Sequence, residues 1–206
     1  MKQLVALFLR HGETELNTKE VNAYRSWSDV PLDAKGFGQA KAASKFLKKY
    51  DIKAVVTSPL LRAFTTANIA APSNVEIEQT RGLLPWHLGL FSGTSREKNE
   101  PALHLFITNP SVTVPNGESL ADFENRQFIF FQRYLERART VGLTLFVAHT
   151  SNAVALNNFL EGAESIEPEV GESVKPGGVG AIYFDGTQHY FESIFGEDEP
   201  AKFGGS

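Results

Sequence analysis

The 206-residue chain has no cysteine, one methionine and two tryptophans. Without cysteine, disulfides, thiolate metal sites and a cysteine nucleophile are excluded. The absence fits a reducing compartment, and a cytoplasmic location is expected. No apolar run approaches the ~20 residues that a membrane helix needs. Lys2 followed by Gln3 to Leu9 has a faint likeness to a signal peptide, but the run is too short. Arg10-His11 also stands where small residues would mark a cleavage site. An excess of positive charge is missing too: 20 basic residues stand against 24 acidic ones, for a net charge of −4. That balance gives no nucleic-acid or membrane footprint, so any anion site must be built locally. Internal repeats and low-complexity linkers are absent. At 42% hydrophobic and 21% charged, the composition is that of a globular chain able to bury a sizeable core.

What is present is a set of apolar runs that end in polar, chemistry-bearing residues. Leu4 to Leu9 is unbroken and reads as a strand buried on both faces, followed at once by Arg10-His11-Gly12. Open α/β sheets bind ligands at that edge. Gly12 permits a sharp turn close to a ligand, and Thr14 and Asn17 add a hydroxyl and an amide. A guanidinium fork beside a neutral imidazole suits a phosphoryl group, the first as an anion clamp and the second as a nucleophile. The loop over residues 19–33 carries Tyr24, Arg25 and Trp27, which could flank a pocket mouth. Asp33 then reads as the N-cap of a helix with Phe37, Ala40, Ala43 and Leu47 on its apolar face.

The second run, Ile52 to Thr57, leads into Ser58-Pro59-Leu60-Leu61-Arg62. Ser58 is an N-cap candidate and Pro59 suits a first turn. An arginine in that turn opposes the helix dipole unless an anion lies nearby, which points Arg62 at a phosphate. The runs Arg10-His11-Gly12-Glu13-Thr14…Asn17, Leu32…Gly36…Gln39-Ala40 and Thr57-Ser58-Pro59-Leu60…Arg62-Ala63…Thr66-Ala67 together resemble the histidine phosphatase superfamily, the phosphoglycerate-mutase-like group. The resemblance covers nearly the whole chain. It implies a phosphohistidine mechanism and a three-layer α/β/α fold.

In that family a glutamate four residues before a glycine donates the leaving-group proton. Here the count back from Gly89 lands on Pro85, which cannot be an acid. His87 and Glu118 are the substitutes to weigh, with Glu97 further off in an exposed-looking segment over residues 95–98. Pro115-Asn116-Gly117-Glu118-Ser119 is similar to the family's Gly-Glu-Ser signature. Residues 101–109 read as a helix, and residues 82–117 as a lid insertion. Ser119 is expected to cap a long helix reaching about Arg139. Phe123, Phe128, Phe131 and Leu135 would line its apolar stripe, and Arg126, Arg133, Arg137 and Arg139 would form a solvated face.

A third buried run, Leu143 to Ala148, ends in His149 and precedes an alanine-rich helix. The family has its second histidine here; the Thr150 that follows matches neither the glycine nor the aspartate usual in its branches. Residues 162–176 read as an acidic loop. Val179 to Phe184 and His189 to Ile194 read as a hairpin, with His189 structural. The fold expected is thus a mainly parallel sheet covered by helices, a single domain over residues 1–195 with a flexible tail over 196–206.

The expected site gathers His11 and His149 as catalytic groups, with Arg10, Arg62, Asn17 and Thr14 binding phosphate. The function expected is metal-independent hydrolysis of a small phosphomonoester, with no cofactor. A sugar-phosphate mutase and a phosphate-binding module with a decayed site are the alternatives. No metal site is suggested, because there is no His-x-x-x-His pair and no aspartate cluster.

Overall fold

A computed structural model of the chain describes residues 2–162 and 174–196. Its centre is a six-stranded mixed sheet. The strands are β1 (Gln3–Arg10), β2 (Ala54–Thr57), β3 (Ile77–Gln79), β4 (Thr144–Ala148), β5 (Val179–Phe184) and β6 (His189–Phe195), in the spatial order β3-β2-β4-β1-β5-β6. The first four in that order are parallel; β5 and β6 are antiparallel and close one edge as the expected hairpin. Among the described residues five α-helices accompany the sheet: α1 (Ala34–Leu47), α2 (Leu61–Ala70), α3 (Arg96–Thr108), α4 (Leu120–Val141) and α5 (Thr150–Glu161).

The apolar strands are covered on both faces because their side chains alternate. Phe8, Val56 and Phe146 join the core that includes Phe131 and Leu156 of α4 and α5. Leu7, Leu9, Val55 and Val147 join Ala43, Leu47 and Ala67 of α1 and α2 on the opposite face. Each large side chain removed from water here contributes roughly 1.5–3 kcal/mol, which fixes the strand ends relative to one another. Register then does the positioning. Arg10 pairs with Ala148, and the His11 N–H donates to the Ala148 carbonyl at 3.0 Å. The residues that follow these two strands, His11 and His149, are therefore neighbours.

Several local expectations need correction. Of the stripe expected on α1, Ala40, Ala43 and Leu47 are buried, but Phe37 is 41% exposed and Gly36 takes the buried place. A Cβ at Gly12 would collide with the Gly36 carbonyl, and one at Gly36 with the Glu13 carbonyl, so α1 lies directly on the loop after β1 and Phe37 is turned outward. The N-cap of α2 is Leu60, not Ser58, and the Leu61 N–H is taken by Asp29 Oδ1 at 2.6 Å. The third helix starts at Arg96, five residues before the expected start. Ser95 caps it, Glu97 favours its first turn, and Pro101 is accommodated inside. On α4, Phe128 is 50% exposed while Phe130 takes the buried place, and Arg126 is not on a solvated face. Asp33 and Ser119 do cap α1 and α4 through their side chains. The expected acidic loop falls mostly on residues 163–173, and the expected tail mostly on residues 197–206; both stretches lie outside the described residues. Among the described residues no helix is long and apolar enough to cross a membrane.

Candidate active site

The C-terminal ends of β1, β2 and β4 open into a cavity of about 450 Å³. Arg10, His11, Arg62 and His149 all line it, and Asn17 stands at its side. His11 is 1% exposed and its Nδ1 lies 2.7 Å from the Gly12 carbonyl oxygen. A carbonyl only accepts, so Nδ1 carries the hydrogen and Nε2 keeps its lone pair. The His149 ring is 5.1 Å away, centre to centre, and its Nε2 lies 2.8 Å from Ser58 Oγ. The serine read as a helix cap is thus a partner of the second histidine. The His149 backbone N–H donates to Asn152 Oδ1 at 3.2 Å, which fixes the strand-to-helix corner.

Arg62, the second residue of α2, is 1% exposed. It donates through Nη1 to the Ser28 carbonyl at 2.7 Å and through Nη2 to the Ser26 carbonyl at 2.8 Å. Its own carbonyl accepts from Thr66 Oγ1 at 2.7 Å, and Thr66 Oγ1 accepts from the Gly12 N–H at 3.1 Å. One hydroxyl therefore ties the turn beside the nucleophile candidate to the helix bearing the arginine. Arg10 donates to the Val174 carbonyl at 2.9 Å, which anchors it from the antiparallel side of the sheet. Thr14 is fully buried and pairs with Asn17: its N–H and Oγ1 both lie 3.0 Å from Asn17 Oδ1. That leaves the Asn17 amide nitrogen as the group facing other partners, whereas Thr14 does not line the cavity.

Burial pushes both imidazoles well below the usual histidine range, and Arg62 adds to the effect on each. Both rings are neutral at pH 7. Arg62 itself is pushed down to about 9 by burial and by the charge of Arg25. Among the described residues no Asp or Glu lines the cavity; the carboxylate that acts on Arg62, Asp29, lies outside its lining. Several polar atoms of the cavity residues are buried without a hydrogen-bond partner among the described residues: Arg62 Nε, His149 Nδ1 and Thr150 Oγ1. Buried polar groups are normally satisfied, and orphans gathered around one cavity point to an anionic guest. Among the described residues no group of three or more His, Asp or Glu is arranged to hold a metal ion.

The other wall is made by residues 82–88. Pro85 lines the cavity, so the chain position of the family's acid does face the site. His87 and Glu118 do not line it. Glu118 Oε1 accepts from the His87 N–H at 2.9 Å and from Arg126 Nη2 at 2.7 Å, while the His87 ring packs edge-on against Trp27 at 4.2 Å. Arg126 also donates to the Leu84 carbonyl at 2.9 Å, and the fully buried Gln127 donates to the Gly82 carbonyl at 2.8 Å. Gln127 Oε1 in turn accepts from Asn152 Nδ2 at 2.9 Å. A polar strap from α4 and α5 thus holds this wall.

Arg25 was only a rim candidate in the sequence, yet it lines the cavity together with Arg96. Arg25 is half-buried. Its pKa is pushed down to about 9 by burial and by the charges of Arg10 and Arg96. It is held by an unusual backbone: Asn22 and Ser26, on either side, have φ of 36° and 45°. Such left-handed residues cost on the order of 1 kcal/mol or more each and concentrate at functional sites. The signal in the sequence was weak, since a lone arginine in an aperiodic loop is ordinary.

The chain is similar to known proteins of one superfamily. The profile of the histidine phosphatase superfamily (branch 1) matches residues 6–190. A 2,3-bisphosphoglycerate-dependent phosphoglycerate mutase of Bartonella henselae is 32% identical over 176 residues, which is 78% of this chain and 83% of that protein. One from Thermoplasma acidophilum is 30% identical over 175 residues, covering 83% and 82%. The crystal structure of the alpha-ribazole phosphatase from Shigella flexneri shares the fold with a TM-score of 0.77 and 23% identity, covering 94% of this chain and 96% of that one. A mycobacterial glucosyl-3-phosphoglycerate phosphatase complexed with VO3 does so with a TM-score of 0.74 and 21% identity, covering 91% and 96%. The profile spans most of the chain and relatives about a third identical cover more than two thirds of it: the chain belongs to branch 1 of the histidine phosphatase superfamily.

Proposed function

We propose that this chain hydrolyses small phosphomonoesters through a phosphohistidine on His11. The observation that carries the reading is the tautomer of His11: with Nδ1–H held by the Gly12 carbonyl, Nε2 presents a lone pair beside Arg10, Arg62 and His149. In the first step Nε2 attacks phosphorus and the bond from phosphorus to the leaving oxygen breaks. Arg10 and Arg62 hold the equatorial oxygens, and the Asn17 amide adds a donor. If Ser58 Oγ donates to His149 Nε2, the hydrogen of His149 is on the unpartnered Nδ1, available to the phosphoryl group. Water then attacks phosphorus, the N–P bond breaks, and inorganic phosphate and free His11 result. Positioning and charge stabilisation supply the catalysis.

The leaving oxygen has no side-chain acid at Pro85 to protonate it, so an aryl phosphate should react far better than an alkyl one. The test is turnover of p-nitrophenyl phosphate by the wild-type chain with release of inorganic phosphate. No turnover, together with tight vanadate binding, would leave only a phosphate-binding role. The names of the relatives favour one alternative, a mutase. It would give an isomerised phosphate ester in place of free phosphate.

A further inference from the structure

The cavity departs from a plain phosphomonoester site in two ways, and the two fit one another. It lacks an acid for the leaving group, because Pro85 occupies the wall. It also carries two arginines beyond the phosphoryl clamp: Arg25 and Arg96 line it in addition to Arg10 and Arg62, with no carboxylate among the described lining residues. Arg62 is pinned by two backbone carbonyls. The Arg25 guanidinium, in contrast, has neither a hydrogen bond nor an ion pair among the described residues, and the charges that act on it are those of Arg10 and Arg96. The backbone that carries it is nevertheless held in place. Its loop is bridged to the start of α3 by Ala23 and Ser95, and the Tyr24 N–H donates to the Thr94 carbonyl at 2.9 Å. Arg96 lies over the Tyr24 ring at 5.1 Å. An unpaired guanidinium on a braced loop next to the phosphoryl clamp is a ready receptor for a second anion.

We infer that the group leaving from phosphorus is itself a phosphate, received by Arg25 with Arg96 at the rim, so that the preferred substrate is an organic diphosphate that loses its terminal phosphoryl group. The inference rests on the phosphohistidine reading. An alkoxide leaving group is strongly basic and calls for an acid. A phosphate monoester leaves as a stable anion, its second pKa being about 6, and calls for charge stabilisation instead. His11 Nε2 attacks the terminal phosphorus, the bond to the bridging oxygen breaks, and the electron pair stays on that oxygen as part of the released monophosphate. Water then discharges the phosphohistidine to inorganic phosphate. The apolar wall of Trp86, Leu88, Leu103, Ile107 and Val154 is suited to the organic portion beyond the second phosphate.

The test compares benzyl diphosphate with benzyl phosphate, which share the organic group, and uses p-nitrophenyl phosphate as a separate report on the phosphohistidine step. Wild-type enzyme should release phosphate from benzyl diphosphate with a kcat/KM at least 100-fold above that for benzyl phosphate. Because the diphosphate is intrinsically more reactive, the second arm is Arg25→Gln, with Arg25→Lys as the charge-retaining control. Arg25→Gln should cut the diphosphate-to-monophosphate ratio at least tenfold, and Arg25→Lys should restore part of it. Equal kcat/KM on the two benzyl compounds overturns the inference. So does an Arg25→Gln loss that falls equally on both, which would make Arg25 part of the phosphoryl clamp. In either case turnover of p-nitrophenyl phosphate would leave the phosphohistidine reading standing; no turnover of any of the three overturns both.

Discussion

The two sides of the cavity are built by different means. The floor hangs from strand ends: His11 and His149 follow paired residues of β1 and β4, and Arg62 is the second residue of the helix after β2. Its geometry follows from backbone register and core packing. The wall over residues 82–88 starts in a short 3-10 turn (Arg81–Leu83) and runs on without a strand or α-helix. It is held by side chains reaching in from elsewhere, namely Arg126, Gln127 and Ser26. The floor brings His11, His149, Arg10, Arg62 and Asn17 to one cavity but leaves Thr14 outside it, whereas the wall presents Pro85 where the family pattern leads one to expect an acid. On the proposed reading, the nucleophile and clamp belong to one separately supported part and the leaving-group side to the other.

The comparison can be broken or sharpened by experiment. The largest effect is expected at the floor: His11→Ala should reduce turnover of p-nitrophenyl phosphate to the buffer background. Next is Arg62→Lys, which keeps the charge and loses the fork; kcat/KM should fall about 100-fold or more in the same assay. On the wall, Pro85→Glu returns a carboxyl to a position that lines the cavity. It should raise kcat/KM for alkyl phosphates at least about tenfold relative to aryl phosphates, within the range of general-acid contributions. A uniform loss on both would show that the wall cannot host an acid.

A smaller effect concerns pH. Both buried imidazoles titrate below their unfolded value of about 6.5, so below that pH the unfolded chain binds protons that the folded chain does not. Stability should therefore fall as pH drops through 6.5 and gain nothing from these groups above it. Urea denaturation at pH 7.5 and 5.5 should show a shallower decline for His149→Gln than for wild type. The smallest effect on chemistry is expected for Glu118→Gln, since Glu118 is occupied by the His87 N–H and Arg126. Its kcat/KM should change less than about threefold, and stability should drop by about 1 kcal/mol from the loss of a partly buried ion pair. A large kinetic loss would make Glu118 the missing acid after all.

The floor was legible in the sequence because each of its parts is a local event, an unbroken apolar run ending in a polar residue with glycine or a helix start just after. The clustering of Arg10, His11, Arg62 and His149 needed only the assumption of adjacent parallel strands. The wall was not legible, because its order comes from contacts far apart in the chain. Arg126 looks like one more arginine on a polar helix face until the carbonyls of residues 82–85 turn toward it. Phe37 and Phe128 fit helical spacing but are exposed, since which stripe of a helix is buried depends on what it packs against. Arg25 carries no local signature; its position depends on two left-handed residues, Asn22 and Ser26, neither of which is glycine.

The central claim is that His11 Nε2 takes the phosphoryl group. Rapid-quench mixing of enzyme with p-nitrophenyl phosphate, followed by peptide mass spectrometry at alkaline pH, tests it directly. The account predicts a transient adduct of one phosphoryl group on His11 that forms and decays within the turnover time and is absent from His11→Ala. Full turnover with no adduct on His11, or with the adduct on another residue, would contradict it.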